Sequence, residues 1–266
     1  MKTKVKNLNF KYFNIEILEN INLEIGDKEI VLLVGENGAG KTTLLRLLSG
    51  KYTARDYEEF NVMGTRSSLD QFKGVAFLGN NWTRNVAFAG NVAYTIDLAA
   101  GEMMKQWQEE NLERRDELVR VLDIDLNWRM NKVSDGQRKR VNIMLGLLRP
   151  FKFLIMDEFT NELDVVVRDN FFKYLKKECN ERNCSIIYAT HIFDNIDSFA
   201  THVIFMSNGT NEMKKSLKEF NTENSLFHSV KRKILENKSN IKVQKLNKNL
   251  LGPQGGWSSG RGININ

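Results

Sequence analysis

The sequence predicts an α/β protein built around a parallel β-sheet, and three features indicate it. Continuous apolar runs occur at EIVLLV (29–34), FLIM (153–156) and SIIYAT (185–190). Such runs are typical of strands that are buried on both faces of a sheet. The first run leads through a Gly-rich turn into the helix-like TTLLRLLSG (42–50), and the helix-like segment 168–182 separates the other two. This alternation favours parallel strands that are joined by crossover helices.

The remaining elements follow in chain order. Residues 4–25 alternate apolar and polar side chains and predict β-strands. Residues from about 95 to 149 have mainly helical character; the clearest helix spans Gly136 to Leu148, and Pro150 ends it. A last strand is expected at 202–206. A final helix is indicated by apolar residues at helical spacing, namely Leu226, Phe227, Val230 and Ile234.

Charge is distributed unevenly along the chain. The 266 residues carry a net charge of +6, and residues 229–266 hold eight basic residues and one acidic residue. Residues 1–228 are therefore close to neutral. We expect one folded unit over residues 1–228 and a basic, flexible tail over 229–266. Nucleic-acid binding by this tail is disfavoured, because the tail lacks regularly interleaved aromatic residues.

Several features indicate the compartment. No stretch approaches the roughly 18–20 uninterrupted apolar residues that span a bilayer. The basic N-terminus lacks the apolar core of a signal peptide. Cys179 and Cys184 form neither a CxxC pair nor a disulfide framework. The sequence therefore predicts a soluble protein of a reducing compartment, either cytoplasmic or nuclear.

A phosphate-binding loop is predicted between the first apolar strand and its helix. Residues 35–42, GENGAGKT, fit the pattern GxxxxGK[ST]. Backbone N–H groups of such a loop and the helix N-terminus bind nucleotide phosphates. Lys41 would neutralise phosphate charge, and the Thr42 hydroxyl would ligate Mg²⁺. The residues expected to contact the nucleotide here are Gly35, Asn37, Gly38, Ala39, Gly40, Lys41, Thr42 and Thr43.

Two acidic residues follow the FLIM strand. Asp157 and Glu158 end a strand at the edge of the sheet where the phosphate loop also emerges. We expect Asp157 to hold Mg²⁺, directly or through water. Glu158 would act as the general base that polarises the attacking water.

A pentapeptide at a helix start resembles a family motif. Residues 133–137, VSDGQ, resemble the signature of the ATP-binding cassette (ABC) ATPases, LSGGQ in its usual form. Ser134 is expected to cap the helix, whose N-terminus would face the γ-phosphate. In that family, the phosphate loop of one protomer and the signature of its partner enclose one ATP. The resemblance therefore implies nucleotide contacts by Ser134, Gly136 and Gln137.

Three further motifs lie in register with this family. Residues 161–164, NELD, resemble the D-loop, in which Asp164 is the most recognisable residue. His191 resembles the switch histidine that contacts the γ-phosphate. Tyr12 matches the aromatic residue that stacks on adenine. Two neighbouring aromatic residues compete for this last role, Phe10 and Phe13.

The resemblance covers residues 1 to about 210. It implies a P-loop NTPase fold of the ABC-cassette type, with an N-terminal antiparallel β-subdomain and a helical subdomain (about 95–149) that carries the signature. It also implies hydrolysis of ATP with Mg²⁺, for which Glu158, Lys41 and His191 would be catalytic. The segments 121–141 and 188–203 are similar to the soluble subfamily-I cassettes. That group includes plant proteins and a factor associated with the CCR–NOT complex.

The sequence departs from the family pattern at three places. Phe159 replaces the usual proline, and Asp135 replaces a glycine. The Asp135 carboxylate would lie near phosphates and slow turnover or weaken ATP binding. The glutamine of the Q-loop is not found near residues 78–86, where Asn80 or Asn81 offers an amide. Because this glutamine couples transporter cassettes to their membrane domains, its absence argues against conventional transport.

Three functions fit these motifs. The favoured one is a stand-alone ATPase that closes as a head-to-tail homodimer around two ATP molecules and signals to partner proteins, with a CCR–NOT-like complex implied by resemblance alone. The first alternative is the nucleotide-binding subunit of a membrane transporter. The second alternative is an RNA- or ribosome-associated cassette.

Overall fold

The computed structural model describes residues 2–65, 74–79, 97–160, 162–193, 196–221 and 225–240. Its strands are β1 (Thr3–Tyr12), β2 (Ile15–Ile25), β3 (Ile30–Gly35), β4 (Glu59–Asn61), β5 (Val75–Gly79), β6 (Phe153–Asp157), β7 (Ser185–Ala189), β8 (His202–Ser207), β9 (Thr210–Asn211) and β10 (Lys215–Ser216). Its α-helices are α1 (Lys41–Leu48), α2 (Lys105–Glu110), α3 (Leu112–Val121), α4 (Asp135–Leu147), α5 (Val165–Arg182), α6 (Leu217–Phe220) and α7 (Leu226–Asn240). Short 3₁₀ turns occur at Ala100–Glu102 and Ile196–Ser198.

The N-terminal strands form an antiparallel sheet in the order β2-β1-β4. Val5 of β1 lies opposite Leu23 of β2 and Phe60 of β4. These three side chains are buried, because the alternating pattern of the strands turns one face of the sheet toward the core. The antiparallel β-subdomain implied by the sequence is therefore confirmed.

The second sheet has the order β10-β8-β3-β7-β6-β5, and β9 pairs with β8. The strands β8, β3, β7, β6 and β5 run parallel to their neighbours in this order. Every residue of β3, β6 and β7 is buried, which explains their continuous apolar sequences. Because the strands are parallel, the carboxyl ends of β3, β6 and β7 meet at one edge of the sheet, where ligands bind in folds of this kind.

Helices cover both faces of the parallel sheet. In β3, Val31 and Leu33 pack with α1 and the antiparallel sheet, whereas Ile30, Leu32 and Val34 belong to a second core with α4, α5 and α7. The described part of the region between β5 and β6 contains α2, α3 and α4. It is attached to α5 by a buried ion pair, in which Arg114 Nη1 lies 2.6 Å from Glu178 Oε2. Together these features confirm the predicted α/β fold.

The helix α7 crosses the boundary at 228/229 that the charge distribution suggested. Leu226 and Val230 are buried, and Ile234 packs against the same core. Lys233 Nζ lies 2.6 Å from Glu212 Oε2. Part of the basic segment therefore belongs to a packed helix, and the tail beyond residue 240 lies outside the described residues.

Candidate nucleotide-binding site

The phosphate loop connects β3 to α1 and depends on two of its glycines. Gly35 has φ 148°, and a Cβ there would lie 2.0 Å from the Met206 carbonyl oxygen. Gly40 has φ 94°, and its Cβ would lie 2.5 Å from Leu18 Cδ2. Gly40 precedes α1 and provides no side-chain cap, so the first N–H groups of the helix are available to an anion.

The Lys41 side chain curls over the phosphate loop. Its Nζ donates hydrogen bonds to the carbonyl oxygens of Gly35 at 2.9 Å and Glu36 at 2.7 Å. Burial lowers the pKa of Lys41, and the negative charges of Glu158 and Asp157 partly offset this shift. An anionic phosphate would give the buried ammonium a stronger partner than two neutral carbonyl groups. Asn37 and Gly38 form the exposed tip of the loop, and Thr43 is half-buried on the first turn of α1.

Two oxygen ligands suited to Mg²⁺ meet between α1 and β6. Thr42 Oγ1 donates a hydrogen bond of 3.1 Å to Asp157 Oδ1. Burial raises the pKa of Asp157, the Thr42 hydroxyl lowers it, and the Glu158 charge raises it. A hydroxyl and a buried carboxylate beside the phosphate loop form a hard donor set, which fits Mg²⁺ completed by phosphate oxygens and water.

Glu158 and His191 form a close side-chain pair beyond the ends of β6 and β7. Glu158 Oε1 lies 2.8 Å from His191 Nε2. The Glu158 backbone N–H donates to the Ala189 carbonyl at 2.9 Å, which fixes the residue between the two strands. Its φ of 49° is unusual for a residue with a side chain, and such conformations concentrate at functional sites.

The signature segment begins α4 with a reciprocal cap. Ser134 Oγ accepts from the Gln137 N–H at 3.2 Å, and Gln137 Oε1 accepts from the Ser134 N–H at 2.9 Å. The predicted cap by Ser134 is therefore confirmed, and its hydroxyl proton remains available to a phosphate. Asp135, which is exposed, pairs with Arg138 Nη1 at 2.6 Å. This pairing moderates the negative charge expected at that position.

The D-loop residue Asp164 joins two helices. Its Oδ1 accepts from the Val167 N–H at 2.9 Å and caps α5. Its Oδ2 accepts from the guanidinium of Arg140 on α4. A Cβ at Gly136 would lie 3.2 Å from the Glu162 carbonyl oxygen, so the signature and the D-loop approach closely within one chain.

Tyr12 ends β1 in a cluster of aromatic rings. Its ring centroid lies 5.3 Å from that of Phe10 and 5.6 Å from that of Tyr52, with interplanar angles of 89° and 90°. Tyr12 is 37% exposed, Phe10 packs partly against the core, and Phe13 is 99% exposed. Phe10 is thus the least accessible of the three aromatic residues considered for base stacking.

Two groups of residues near the site carry no sequence motif. Lys139 is 2% exposed, and its Nζ lies 4.0 Å from the ring centroid of Phe159 and 3.8 Å from Glu162 Oε2. Arg46 of α1 donates to the Tyr52 hydroxyl at 2.7 Å. The sequence offers no signal for either group, because a lysine on a helix and a tyrosine in a loop are ordinary surface residues.

The structure brings some predicted residues together and keeps others apart. Lys41, Thr42, Asp157, Glu158 and His191 meet at the carboxyl edge of the parallel sheet. In the described part of the chain, no hydrogen bond or ion pair joins signature residues 134–137 to the phosphate loop. Asn80, Asn81 and Asn161 lie outside the described residues.

Comparison with known proteins assigns the family. The family model described as ABC transporter matches residues 18–161, from β2 through the phosphate loop and signature to the D-loop. The chain belongs to the ABC ATPase family. No helix in its described ranges is long and apolar enough to cross a membrane.

The curated relatives include members of one subfamily. The ABC cassette is 45% identical over 201 residues to ABC transporter I family member 20 of Arabidopsis thaliana, which covers 73% of this chain and 60% of that protein. Member 21 of the same plant is 39% identical over 221 residues, which cover 81% of this chain and 77% of that protein. CCR4-associated factor 16 of Saccharomyces cerevisiae is 35% identical over 224 residues, covering 77% and 75%. The match spans 60% of the length of member 20. These proteins place the chain among the subfamily-I cassettes.

Solved structures share the fold of this ABC cassette. The ATP-binding subunit of an ABC transporter superposes with a TM-score of 0.72 at 19% identity, covering 90% of this chain and all of the other. A dimeric post-hydrolysis state of the cassette MJ0796, bound to ADP and phosphate, gives a TM-score of 0.66 at 22% identity, covering 82% and 99%. The predicted ABC-cassette fold is confirmed.

Proposed function

We propose that this ABC cassette hydrolyses Mg-ATP as a head-to-tail dimer and works as a conformational switch for partner proteins. The observation that carries the proposal is the separation of signature residues 134–137 from the phosphate loop within one chain. Among the described residues, the signature makes no hydrogen bond or ion pair with its own phosphate loop, so it can complete the phosphate loop of a second copy. Two identical composite sites then arise from one isologous interface.

Within each composite site, the side chains divide the work. The phosphate loop and Lys41 hold the phosphate oxygens. Thr42 and Asp157 would hold Mg²⁺, which neutralises charge on the transferred phosphoryl group. Glu158 accepts a proton from the attacking water, and His191, whose Nε2 lies 2.8 Å from Glu158 Oε1, orients Glu158. The Ser134 hydroxyl of the second copy donates to the γ-phosphate.

Exposed apolar residues beside the D-loop support the dimer. Val165 and Val166, which follow Asp164, are 63% and 68% exposed. Adjacent exposed valines on a helix are unfavourable in water and suited to an interface. The dimer formed by the structurally similar cassette MJ0796 supports the proposal.

Hydrolysis would connect ATP binding to a mechanical signal. Contacts from both copies to one ATP favour the closed dimer, and loss of the γ-phosphate removes the contacts that hold it closed. A cytoplasmic or nuclear regulatory complex is the partner that the relation to CCR4-associated factor 16 supports.

The oligomeric state of a hydrolysis-deficient variant tests the dimer. We expect Glu158→Gln to be monomeric without nucleotide and dimeric with saturating Mg-ATP, measured by light scattering at micromolar concentration. The double variant Glu158→Gln, Lys41→Ala is the matched control and should stay monomeric, because it lacks the phosphate-binding ammonium. A Glu158→Gln protein that remains monomeric with bound ATP contradicts the proposal.

A second experiment identifies the partner. The trapped Glu158→Gln cassette would be purified from detergent-solubilised cells with its bound proteins. Soluble regulatory subunits at stoichiometric yield support the switch. A stoichiometric partner with several membrane spans would instead identify the chain as the nucleotide-binding subunit of a transporter.

A further inference from the structure

The aromatic ring of Tyr12 packs against two other aromatic rings. The ring centroids lie 5.3 Å apart for Phe10 and Tyr12, 5.6 Å for Tyr12 and Tyr52, and 6.0 Å for Phe10 and Tyr52. The three rings therefore form a nearly equilateral triangle. Phe10 and Tyr52 are parallel to each other within 5°, and both stand perpendicular to Tyr12. Tyr12 is 37% exposed, so part of its ring is accessible to a ligand.

A hydrogen-bonded connection links this cluster to the phosphate loop. Arg46 lies in the last turn of α1, the helix that begins at the phosphate loop, and donates to the Tyr52 hydroxyl at 2.7 Å. Tyr12 packs against Tyr52 with 5.6 Å between ring centroids. Burial and, to a smaller extent, Tyr52 raise the pKa of Tyr12, whereas Tyr12 lowers the pKa of Tyr52. Tyr12 is thus connected through Tyr52 and Arg46 to the element that holds the phosphates.

We propose that Tyr52 is a positioning residue for nucleotide recognition, which fixes the Tyr12 ring at the place where the nucleobase stacks. This inference rests on the proposed ATP site and names a residue that none of its motifs contains. Tyr12 is partly exposed at the end of a hairpin, and Phe13 beside it is fully exposed. Without a support, the ring would lose rotamer freedom when it binds a base, and that loss would reduce the affinity.

The support has two separable parts. The Tyr52 ring packs perpendicular to the Tyr12 ring, and the Tyr52 hydroxyl accepts a hydrogen bond from Arg46, which anchors the Tyr52 ring. Tyr52→Phe removes the hydroxyl and keeps the ring, whereas Tyr52→Ala removes both. We therefore expect the affinity for ATP to fall in the order wild type, Tyr52→Phe, Tyr52→Ala.

The test compares ATP with inorganic tripolyphosphate, which has the phosphates and lacks the base. Because stacking on a base contributes substantially to affinity, we expect Tyr52→Ala to weaken ATP binding about threefold to tenfold. Binding of tripolyphosphate should stay within about twofold of wild type. Tyr57→Ala is the matched control: Tyr57 packs on Phe60 in the same subdomain, with 5.4 Å between ring centroids, and should leave both affinities unchanged.

A double-mutant cycle separates positioning from direct contact. If Tyr52 acts through Tyr12, the variant Tyr12→Ala, Tyr52→Ala should bind ATP no more weakly than Tyr12→Ala alone. Full additivity would mean that Tyr52 contacts the base itself and would overturn the inference. Equal weakening of ATP and tripolyphosphate by Tyr52→Ala, or no weakening of ATP, would overturn it as well. A wild-type chain that binds neither ligand contradicts the proposed function instead, so the two failures are distinguishable.

Discussion

Glu158 depends on both neighbouring strands for its position. It follows β6 directly, and its backbone N–H donates to Ala189 at the end of β7. Its carboxylate then reaches His191, which lies two residues beyond β7. If Glu158 is the general base proposed above, its attachment to two strands limits its loss of orientation when the nucleotide binds, and proton abstraction requires such pre-organisation.

Removing this base should separate binding from hydrolysis. We expect Glu158→Gln to lower the steady-state rate of ATP hydrolysis about a hundredfold to ten-thousandfold. The dissociation constant for ATP should change little, because the amide keeps the shape of the side chain. Phosphate release and equilibrium binding measure the two quantities. His191→Ala should produce a smaller loss in hydrolysis, and a loss of ATP binding in Glu158→Gln would contradict the assigned role.

The Thr42 hydroxyl gives a second prediction. Thr42→Val removes a Mg²⁺ ligand and the hydrogen bond to Asp157, so the Mg²⁺ concentration for half-maximal hydrolysis should rise about tenfold or more. Thr42→Ser keeps the hydroxyl and should behave like the wild type. A titration of hydrolysis rate against Mg²⁺ measures the effect. Equal half-activation values for the valine and serine variants would show that this hydroxyl does not serve the metal.

The site residues that belong to sequence motifs could be predicted from the sequence. The residues that hold them in position could not. Lys41, Thr42 and Asp157 stand in patterns whose spacing reflects the geometry of phosphate and metal binding. Tyr52 supports the site through a ring contact with Tyr12, which lies on β1, and through a hydrogen bond from Arg46. Such contacts leave no local pattern in the sequence. The ring contact of Tyr12 with Tyr52 at 5.6 Å and the hydrogen bond of Arg46 to Tyr52 at 2.7 Å do not follow from any fixed sequence spacing.

At the scale of elements, the first two turns of α4 are connected to the segment that follows β6. Lys139 lies over Phe159, the residue after Glu158, and Arg140 binds Asp164. Gly136 approaches the Glu162 carbonyl. A displacement of α4 by a nucleotide at the signature would therefore reach the segment that carries the catalytic base of the other site.

The buried Lys139 allows a prediction about pH. Burial lowers the pKa of Lys139 from its ordinary value of 10.5. Between the lowered pKa and 10.5, the unfolded chain binds more protons than the folded one, so the penalty for burying this group decreases as pH rises. Lys139→Met should therefore stabilise the protein by about 1 kcal/mol at neutral pH, and the gain should shrink toward pH 10.

Denaturant unfolding of wild type and Lys139→Met at several pH values measures this difference. Lys132→Met replaces an exposed lysine and should show no such trend. A gain that is constant with pH, or a loss of stability at neutral pH, would contradict the prediction.

Element types followed from the sequence more readily than their ends. The cap at Ser134 and the apolar period predicted α4, since both signals are local. The end of the last helix did not follow from charge, because Lys231, Arg232 and Lys233 lie on α7 together with the buried Val230. A run of basic residues predicts a solvent-exposed surface. Whether that surface is one side of a packed helix depends on tertiary contacts.

For the whole molecule, α7 closes one face of the parallel sheet. A chain that ends after Asn240 keeps this helix and should retain the unfolding midpoint and hydrolysis rate of the full chain. A chain that ends after Ser225 loses Leu226 and Val230, which are both buried, at a cost of about 1.5–3 kcal/mol for each side chain. Thermal unfolding of the two truncations measures the difference. Equal stability of the two would show that α7 is dispensable.

The position of β3 within the sheet also determines when the phosphate loop can form during protein synthesis. β3, at residues 30–35, leaves the ribosome early, but its neighbours β7 (185–189) and β8 (202–207) are made much later. An apolar strand with two missing partners exposes aggregation-prone surface, and a loop anchored on it has no fixed backbone. The nascent chain should therefore acquire ATP binding only after β8 has emerged. Until then, chaperones rather than nucleotide would protect the segment that holds the phosphates in the finished protein.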